Sequence, residues 1–429
     1  MLDRKFIIEN VELIQRNCRN RGVRADVEQL VQKELERRDK LQLVQELNRQ
    51  ANEVSGKIGK ARDAAERDAF KEEGRRLREE KSSAQEAHDR LEVEIHTLQV
   101  LIPNLSHPDA PVGEDDKSNL EVHHGKTPVP QFSFPPRDHV AIGESLDLID
   151  LEGGARTTGH GFYFLRREAV LLELALQQFT VHKLIAKGFI PTITPDLAQD
   201  KILEGIGFIP RGPETQVYSI ADSDLSLVGT AEVTLGGLYA GQTLDADALP
   251  IRLCGLSHCF RTEAGAHGRA TRGIYRVHQF SKVEMFAFTL PEQSEAIHAE
   301  IRDIECEIFD DLGIPYRVVD TATGDLGGPA YRKFDLEAWM PGRGEKGDWG
   351  EITSTSNCTD YQARRLNVRY KHKNEKGTHF VHTLNGTAVA ITRAIIAILE
   401  NYQHSDGSVT IPAVLRPWVG LERIVPRSS

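Results

Sequence analysis

Disulfide chemistry and long apolar spans are both missing from this sequence. Its 429 residues hold five cysteines, Cys18, Cys254, Cys259, Cys306 and Cys358, and no two form a CxxC pair. An odd, scattered set excludes a disulfide framework and offers no zinc-ligand spacing. No apolar run approaches the roughly 20 residues that a bilayer-spanning helix needs, and the opening MLDRKFIIENVELIQRNCRN has no signal-peptide apolar core. Cytoplasmic residence with no membrane association is the expectation. An excess of positive charge is missing too: 53 Lys and Arg face 64 Asp and Glu, for a net −11. That excludes a generic polyanion binder, so any nucleic-acid contact needs a local basic surface. A Walker-type phosphate loop is also absent.

Proline does not occur between residues 1 and 102, which suits long helices. Residues 1–22 predict a short amphipathic helix closed by Gly22, and Asp26 is placed to cap a longer one. Apolar positions then step by three and four through Val44, Leu47, Ala51, Val54, Ile58 and Ala61. After a polar break over 62–68 the pattern resumes through Phe70, Gly74, Leu77, Lys81, Ala84, His88, Leu91, Ile95, Leu98 and Ile102. Two such series predict an antiparallel coiled-coil hairpin. Residues 26–102 carry 15 Lys or Arg against 18 Asp or Glu, a charge-laced arm rather than a basic one. It reads either as a spacer or dimerisation device, or as a nucleic-acid arm using Arg75-Arg76-Leu77-Arg78 and Arg37-Arg38.

Seven prolines between residues 103 and 136 mark a boundary. The division expected is a helical arm over 1–110, a linker over 111–137 and a domain of mixed α and β over 138–429. In that domain, helices are predicted over Leu165–Lys187, Pro291–Leu312 and Ala388–Gln403. The first leads into the Pro-bearing strand Phe189–Pro195 and is either a dimer face or an internal cover. Short β-like segments joined as hairpins argue for an antiparallel sheet with helices to one side, an α+β fold.

Four polar islands stand out. Leu253–Phe260 and Ile274–Phe288 form a predicted hairpin around the loop Ala264–Gly273. It carries Arg261, Glu263, Arg269, Arg272, Arg276, Lys282 and Glu284, a set suited to a phosphate-bearing ligand. Thr230-Ala231-Glu232 opens a helix, where a carboxylate can simply cap. The alternating strand Glu351-Ile352-Thr353-Ser354-Thr355-Ser356 presents oxygen ligands of the kind Mg²⁺ takes beside a nucleotide. Asn385-Gly386-Thr387 precedes an apolar helix in which Arg393 is costly unless paired or bound to an anion.

The motifs are specific enough to name a family. Gly188–Pro195 resembles class II motif 1, Phe260–Glu263 through Arg276–Phe280 resembles motif 2, and Asn385–Thr387 to Arg393 resembles motif 3. With Gly350–Arg365 and Ile411–Pro417, the chain is similar over essentially its whole length to the bacterial-type seryl-tRNA synthetases, class II aminoacyl-tRNA synthetases. Ala388 and Thr392 stand where motif 3 often has glycine. The resemblance implies a class II catalytic domain with an N-terminal tRNA-binding arm, acting as a cytoplasmic homodimer. It implies activation of L-serine with ATP and Mg²⁺ and transfer to tRNA(Ser), and to tRNA(Sec) as well. Carried over, Arg261, Thr262, Glu263, Val277, Phe280, Glu351, Ile352, Thr353, Ser354 and Arg393 bind ATP. Thr230, Ala231, Glu232, Arg261, Glu284 and Thr387 bind serine, and Glu351 and Ser354 hold the metal. Arg261, Glu351 and Arg393 are the catalytic set, and their presence argues against an inactive homologue. The long arm argues against a paralogue that loads a carrier protein.

Overall fold

The computed structural model describes residues 1–208, 216–263 and 272–427. They fall into two compact units, Met1–Leu105 and Ser106–Ser429.

The first unit holds α1 Arg4–Glu9, α2 Val11–Asn20, α3 Val27–Ile58 and α4 Ala64–Val100. One helix expected over 1–22 is two, because the Asn10 amide donates to Phe6 O (2.9 Å) and offers the backbone an alternative to the next helical bond. Asp26 caps α3, accepting from Gln29 N at 2.8 Å. Asp63 caps α4 in the same way through Glu66 N, so the second long helix starts six residues before Phe70. At about 1.5 Å per residue, α3 runs for roughly 48 Å. Val44, Leu47 and Val54 meet Leu77 and Ala84 along the seam. Gly74 lets Val54 come within 3.7 Å of where its Cβ would be.

The two arginine clusters do not combine. Arg37 donates to Glu34 at 2.8 Å, Arg38 does so at 3.1 Å, and Arg37 lies 3.1 Å from His88. Arg75 and Arg76 are exposed one helix segment away, paired with Glu72 and Glu80. The 13 residues from Arg75 to His88 span about 20 Å of helix.

The second unit is built on one eight-stranded sheet. Its strands are β1 Leu120–His124, β2 Ile190–Ile193, β3 Ile251–Phe260, β4 Gln279–Thr289, β5 Tyr316–Asp320, β6 Arg332–Met340, β7 Asp348–Asn357 and β8 His382–Ala390. They lie in the order β1-β5-β6-β7-β8-β4-β3-β2. All neighbours are antiparallel except β2 and β3, which are parallel. Pro191 fits there because an edge strand needs only one side of its hydrogen bonds.

The expected boundaries of this unit need correction at three places. The stretch 111–137 is not a bare linker, since β1 within it pairs with β5 and forms the sheet's other edge. The returning strand of the central hairpin starts at Gln279 rather than Ile274, because His278 N–H donates sideways to Gly161 O. The helix expected from Ala388 starts at Ile391, because Val389 and Ala390 are still paired with β4.

Helices cover both faces of the sheet rather than the one side expected: α5 His139–Ser145, α6 Glu168–Ala186, α7 Asp200–Ile206, α8 Glu232–Gly237, α9 Ser294–Leu312, α10 Tyr361–Leu366 and α11 Ile391–Asn401. The period of two in β4 sorts its side chains. Val283, Met285 and Ala287 join the larger core with α6, α9 and α11. Phe286 and Phe288 join a smaller core with Leu203, Ile206, Val233, Leu235, Ala363 and Leu366 of α7, α8 and α10. Contrary to the expectation of no apolar segment of spanning length, α6 has 19 residues and passes for a membrane helix by length and composition. Its Ala169, Leu172, Ala175, Leu176 and Leu184 are fully buried in the larger core, which accounts for the apolar character of that face.

The seam of the arm is a packing contact and should respond as one. Leu77→Ala removes a side chain that is 4% exposed and is expected to cost about 3 kcal/mol. Amide hydrogen exchange should report faster opening of α3 and α4 with the sheet amides unmoved. Equal acceleration in both units would contradict this assignment.

Candidate active site

Two β-bulges decide which side chains reach the cleft over the middle of the sheet. Between β6 and β7 the register steps from Leu336↔Thr353 to Glu337↔Glu351, leaving Ile352 unpaired. Strict alternation would put Glu351 and Ser354 on opposite faces, and the extra residue brings them onto one. Between β8 and β4 the register steps from Thr387↔Glu284 to Val389↔Val283 around Ala388. Thr387 and Ala390 thereby share a face with Glu284 and Lys282. The cleft above holds about 870 Å³ of open space, its solvent-filled mouth included.

One end of it is a buried polar pocket. Lys282 Nζ lies 2.5 Å from Glu284 Oε2 and donates to Thr387 Oγ1 at 3.2 Å. Thr387 Oγ1 in turn donates to Glu284 Oε2 at 3.1 Å. Thr230 Oγ1 accepts from Glu232 N at 3.3 Å, so the hydroxyl turns the chain and the Glu232 carboxyl does not cap. That carboxyl accepts from Gln362 Nε2 at 2.8 Å instead. Burial pushes its pKa up to about 7, aided by the negative charge of Glu284 and opposed by Gln362, Lys282 and Asn385.

The other end is lined with guanidinium groups. Arg261 donates to Gly229 O at 3.2 Å, and its guanidinium stands 5.3 Å from the Phe280 ring centre. Glu263 pairs with Arg276 at 2.5 Å from a left-handed backbone with φ of 52°, an arrangement that costs a non-glycine residue on the order of 1 kcal/mol or more. Arg393 is the third residue of α11, in its first turn. It donates to Glu351 O at 2.9 Å and lies 3.4 Å from Glu351 Oε1. The crowded cleft wall works against ionisation of Glu351, although its side chain is 46% exposed, but Arg393, with Lys333, Arg261 and Arg276, holds its carboxyl below the usual range.

Of the residues singled out in the sequence, Thr230, Glu232, Arg261, Glu263, Val277, Phe280, Glu284, Glu351, Ile352, Thr353, Ser354, Thr387 and Arg393 all line the cleft. Ala231 lies in the smaller core, and Thr262 N donates to Gln216 O away from the lining. Arg269 lies outside the described residues. Arg272 pairs with Asp138 at 3.1 Å. The lining adds Tyr275, Arg276, Lys282, Ser356 and Asn385, to which the family resemblance assigned no ligand. Lys282 and Arg276 were visible as charges in the hairpin, but Tyr275 looked like one more large strand residue. Gln362, 130 residues from Glu232, carried no signal.

Known proteins resemble this chain over its whole length. Residues 1–106 match the model of the seryl-tRNA synthetase N-terminal domain, and residues 217–402 match the tRNA synthetase class II core domain (G, H, P, S and T). The serine–tRNA ligase of Rhodopirellula baltica is 63% identical over 98% of this chain and 99% of its own length. That of Rubrobacter xylanophilus is 52% identical over 99% of both. The chain belongs to the seryl-tRNA synthetase family. A solved family structure, seryl-tRNA synthetase from Pyrococcus horikoshii complexed with ATP, superposes with a TM-score of 0.93 at 38% identity, covering 100% of both chains. The cytoplasmic serine–tRNA ligase of Naegleria fowleri in complex with AMP gives 0.87 at 31%, covering 100% of this chain and 99% of its own.

The buried pair on the floor of this synthetase cleft sets a stability test. Lys282→Met strands the Glu284 carboxylate, which is 2% exposed, and should destabilise the fold by about 3 kcal/mol. The double variant Lys282→Met/Glu284→Leu should recover most of that loss in chemical denaturation. No recovery would show that the lysine matters for something other than the carboxylate.

Proposed function

We propose that this serine–tRNA ligase uses the cleft to form seryl-adenylate from L-serine and ATP, releasing diphosphate, and then passes serine to tRNA(Ser). The convergence of a buried hydroxyl-accepting pocket with a wall of arginines in one cleft carries the reading. The seryl carboxylate attacks the α-phosphorus while Arg261 stabilises the charge gathering on that phosphate and Arg393 holds the γ-phosphate. Positioned charge of this kind is the main catalytic resource of a phosphoryl-transfer site. Phe280 stacks on the adenine, Val277 and Ile352 line its pocket, and Glu263 meets its outer edge. In the second step a terminal ribose hydroxyl of the tRNA attacks the seryl carbonyl and AMP leaves, with no covalent enzyme intermediate.

At the amino-acid end, Thr230 and Glu232 receive the serine ammonium. Lys282 and Thr387 both act on Glu284 Oε2, which leaves Oε1 to accept the serine hydroxyl. Alanine would strand those buried groups and so be disfavoured strongly. Among the described residues no three acidic, histidine or cysteine side chains converge on a metal position. Glu351 and Ser354, brought onto one face by the bulge at Ile352, fit a Mg²⁺ ion that draws its remaining ligands from phosphates and water. Bound there, the ion would neutralise triphosphate charge.

The arm is assigned to tRNA, with tRNA(Sec) as a second substrate. The exposed side chains Val170, Leu171, Leu174 and Ile185 of α6 and Ile190 and Ile193 of β2 form an apolar face suited to a homodimer. The five cysteines form no disulfide among the described residues, in keeping with a cytoplasmic enzyme.

The purified protein should catalyse serine-dependent exchange between ATP and diphosphate, and Arg261→Ala should lower that rate by roughly a thousandfold without changing the unfolding midpoint. A folded wild-type protein with no exchange would refute the reading. The charge state of Glu232 gives a second test. Its carboxyl is largely protonated below pH 7, and a bound ammonium favours the carboxylate, so serine binding should release a proton there. Affinity should rise toward pH 7 and level off above it. Calorimetry in buffers of different ionisation enthalpy measures the released proton, and Glu232→Gln should remove it. The raised pKa also means that the unliganded fold loses stability as pH rises from 4.5 to about 7, because the unfolded chain ionises first.

A further inference from the structure

Tyr275 has a place in the cleft that neither its apolar neighbours nor the proposed substrate contacts explain. Its ring meets two guanidinium groups, with Arg393 4.7 Å from the ring centre and Arg343 4.8 Å from it. Its hydroxyl donates to Glu351 O at 3.0 Å, the carbonyl that also accepts from Arg393 at 2.9 Å. One side chain thus touches the arginine and the backbone of the carboxylate residue that together form the triphosphate end of the cleft.

The arrangement continues behind the ring. Tyr275 lines both the main cleft and a neighbouring solvent-open pocket that Arg343 also lines. Gly350 leaves room for this stack: a Cβ there would meet Arg343 Nη1 at 3.0 Å and Tyr275 Oη at 3.2 Å. Among the described residues the carboxylate paired with Arg343, Asp348, is 3.9 Å away and largely exposed, and the aromatic ring is its other partner. Upstream, Ile274 N–H donates to His139 Nε2 at 3.2 Å, and His139 Nδ1 lies 2.8 Å from the buried Glu400 Oε1 on α11. Tyr275 is therefore held to the helix that carries Arg393 on both its backbone and its ring side.

We infer that Tyr275 is a positioning residue for the triphosphate end, holding the Arg393 guanidinium and the Glu351 carbonyl in register while Arg343 braces its ring. The inference rests on Arg393 meeting the γ-phosphate. A flat ring suits the task, because a guanidinium stacked on it keeps its hydrogen-bond edge free for phosphate. Loss of the ring should weaken contacts to the leaving diphosphate and leave serine and the adenylate half of the nucleotide untouched.

The test is kinetic and uses the full chain. In ATP–diphosphate exchange, Tyr275→Leu should raise the KM for ATP and for diphosphate roughly tenfold. Serine KM and AMP affinity should stay within about twofold. Tyr275→Phe, which keeps the ring, should restore most of the loss, and Arg343→Gln should show a smaller change of the same pattern. Unchanged KM values for ATP and diphosphate in Tyr275→Leu would overturn the inference. Losses of equal size for AMP and serine would also overturn it, as a general structural role. Arg393→Gln in the same assay separates the two levels. If it too leaves both KM values unchanged, the assignment of the γ-phosphate site fails. If it raises them while Tyr275→Leu does not, only the positioning role fails.

Discussion

A buried lysine–glutamate pair sets the terms for the catalytic unit. Lys282 and Glu284 are 7% and 2% exposed, and neither charge is tolerable at that depth without the other. Both stand on β4, two residues apart, so only a rigid strand with neighbours on each side can hold them at 2.5 Å. β8 supplies the hydroxyl of Thr387 as the third member. Glu232 feels the same field: its neutral form is favoured partly because Glu284 is charged. The pocket thus begins as a problem in desolvation, and Lys282 and Thr387 solve it together at Glu284 Oε2.

That solution needs the sheet to be irregular. A pleated strand alternates its side chains strictly, and strict alternation would scatter the groups that the cleft requires. The bulge at Ile352 puts Glu351 beside Ser354, and the bulge at Ala388 keeps Thr387 opposite Glu284 while returning Ala390 to the cleft face. Period two is preserved where packing governs, as in Val283, Met285 and Ala287 against one core and Phe286 and Phe288 against the other. It breaks in the rows that line the site, and once more at the outer edge of the sheet between Glu121 and His123.

The helical arm handles charge differently. Its ion pairs are mostly exposed, as with Arg75–Glu72 and Arg49–Glu46, and contribute little each. Its stability comes from a narrow apolar seam. Where a charge is buried there, at Glu34, several arginines converge on it, which withdraws Arg37 from the free basic surface that the sequence suggested.

Much was legible in the chain alone. The seam spacing, the absence of proline before residue 103 and the Asp26 cap specified the long helical hairpin, because helical periodicity and capping are local. The charged hairpin, the Glu351–Ser356 strand and Arg393 after Asn385–Thr387 marked the cleft, because charges within strand and helix patterns need partners or ligands wherever they lie. Tertiary structure alone decided the rest. Register shifts of one residue depend on what the neighbouring strand offers, so neither bulge could be read from spacing. Strand β1 hid among prolines because its pairing partner lies almost 200 residues away. Gln362, Tyr275 and Arg343 have ordinary local surroundings, and they acquire meaning only when the fold sets them against Glu232, Arg393 and each other.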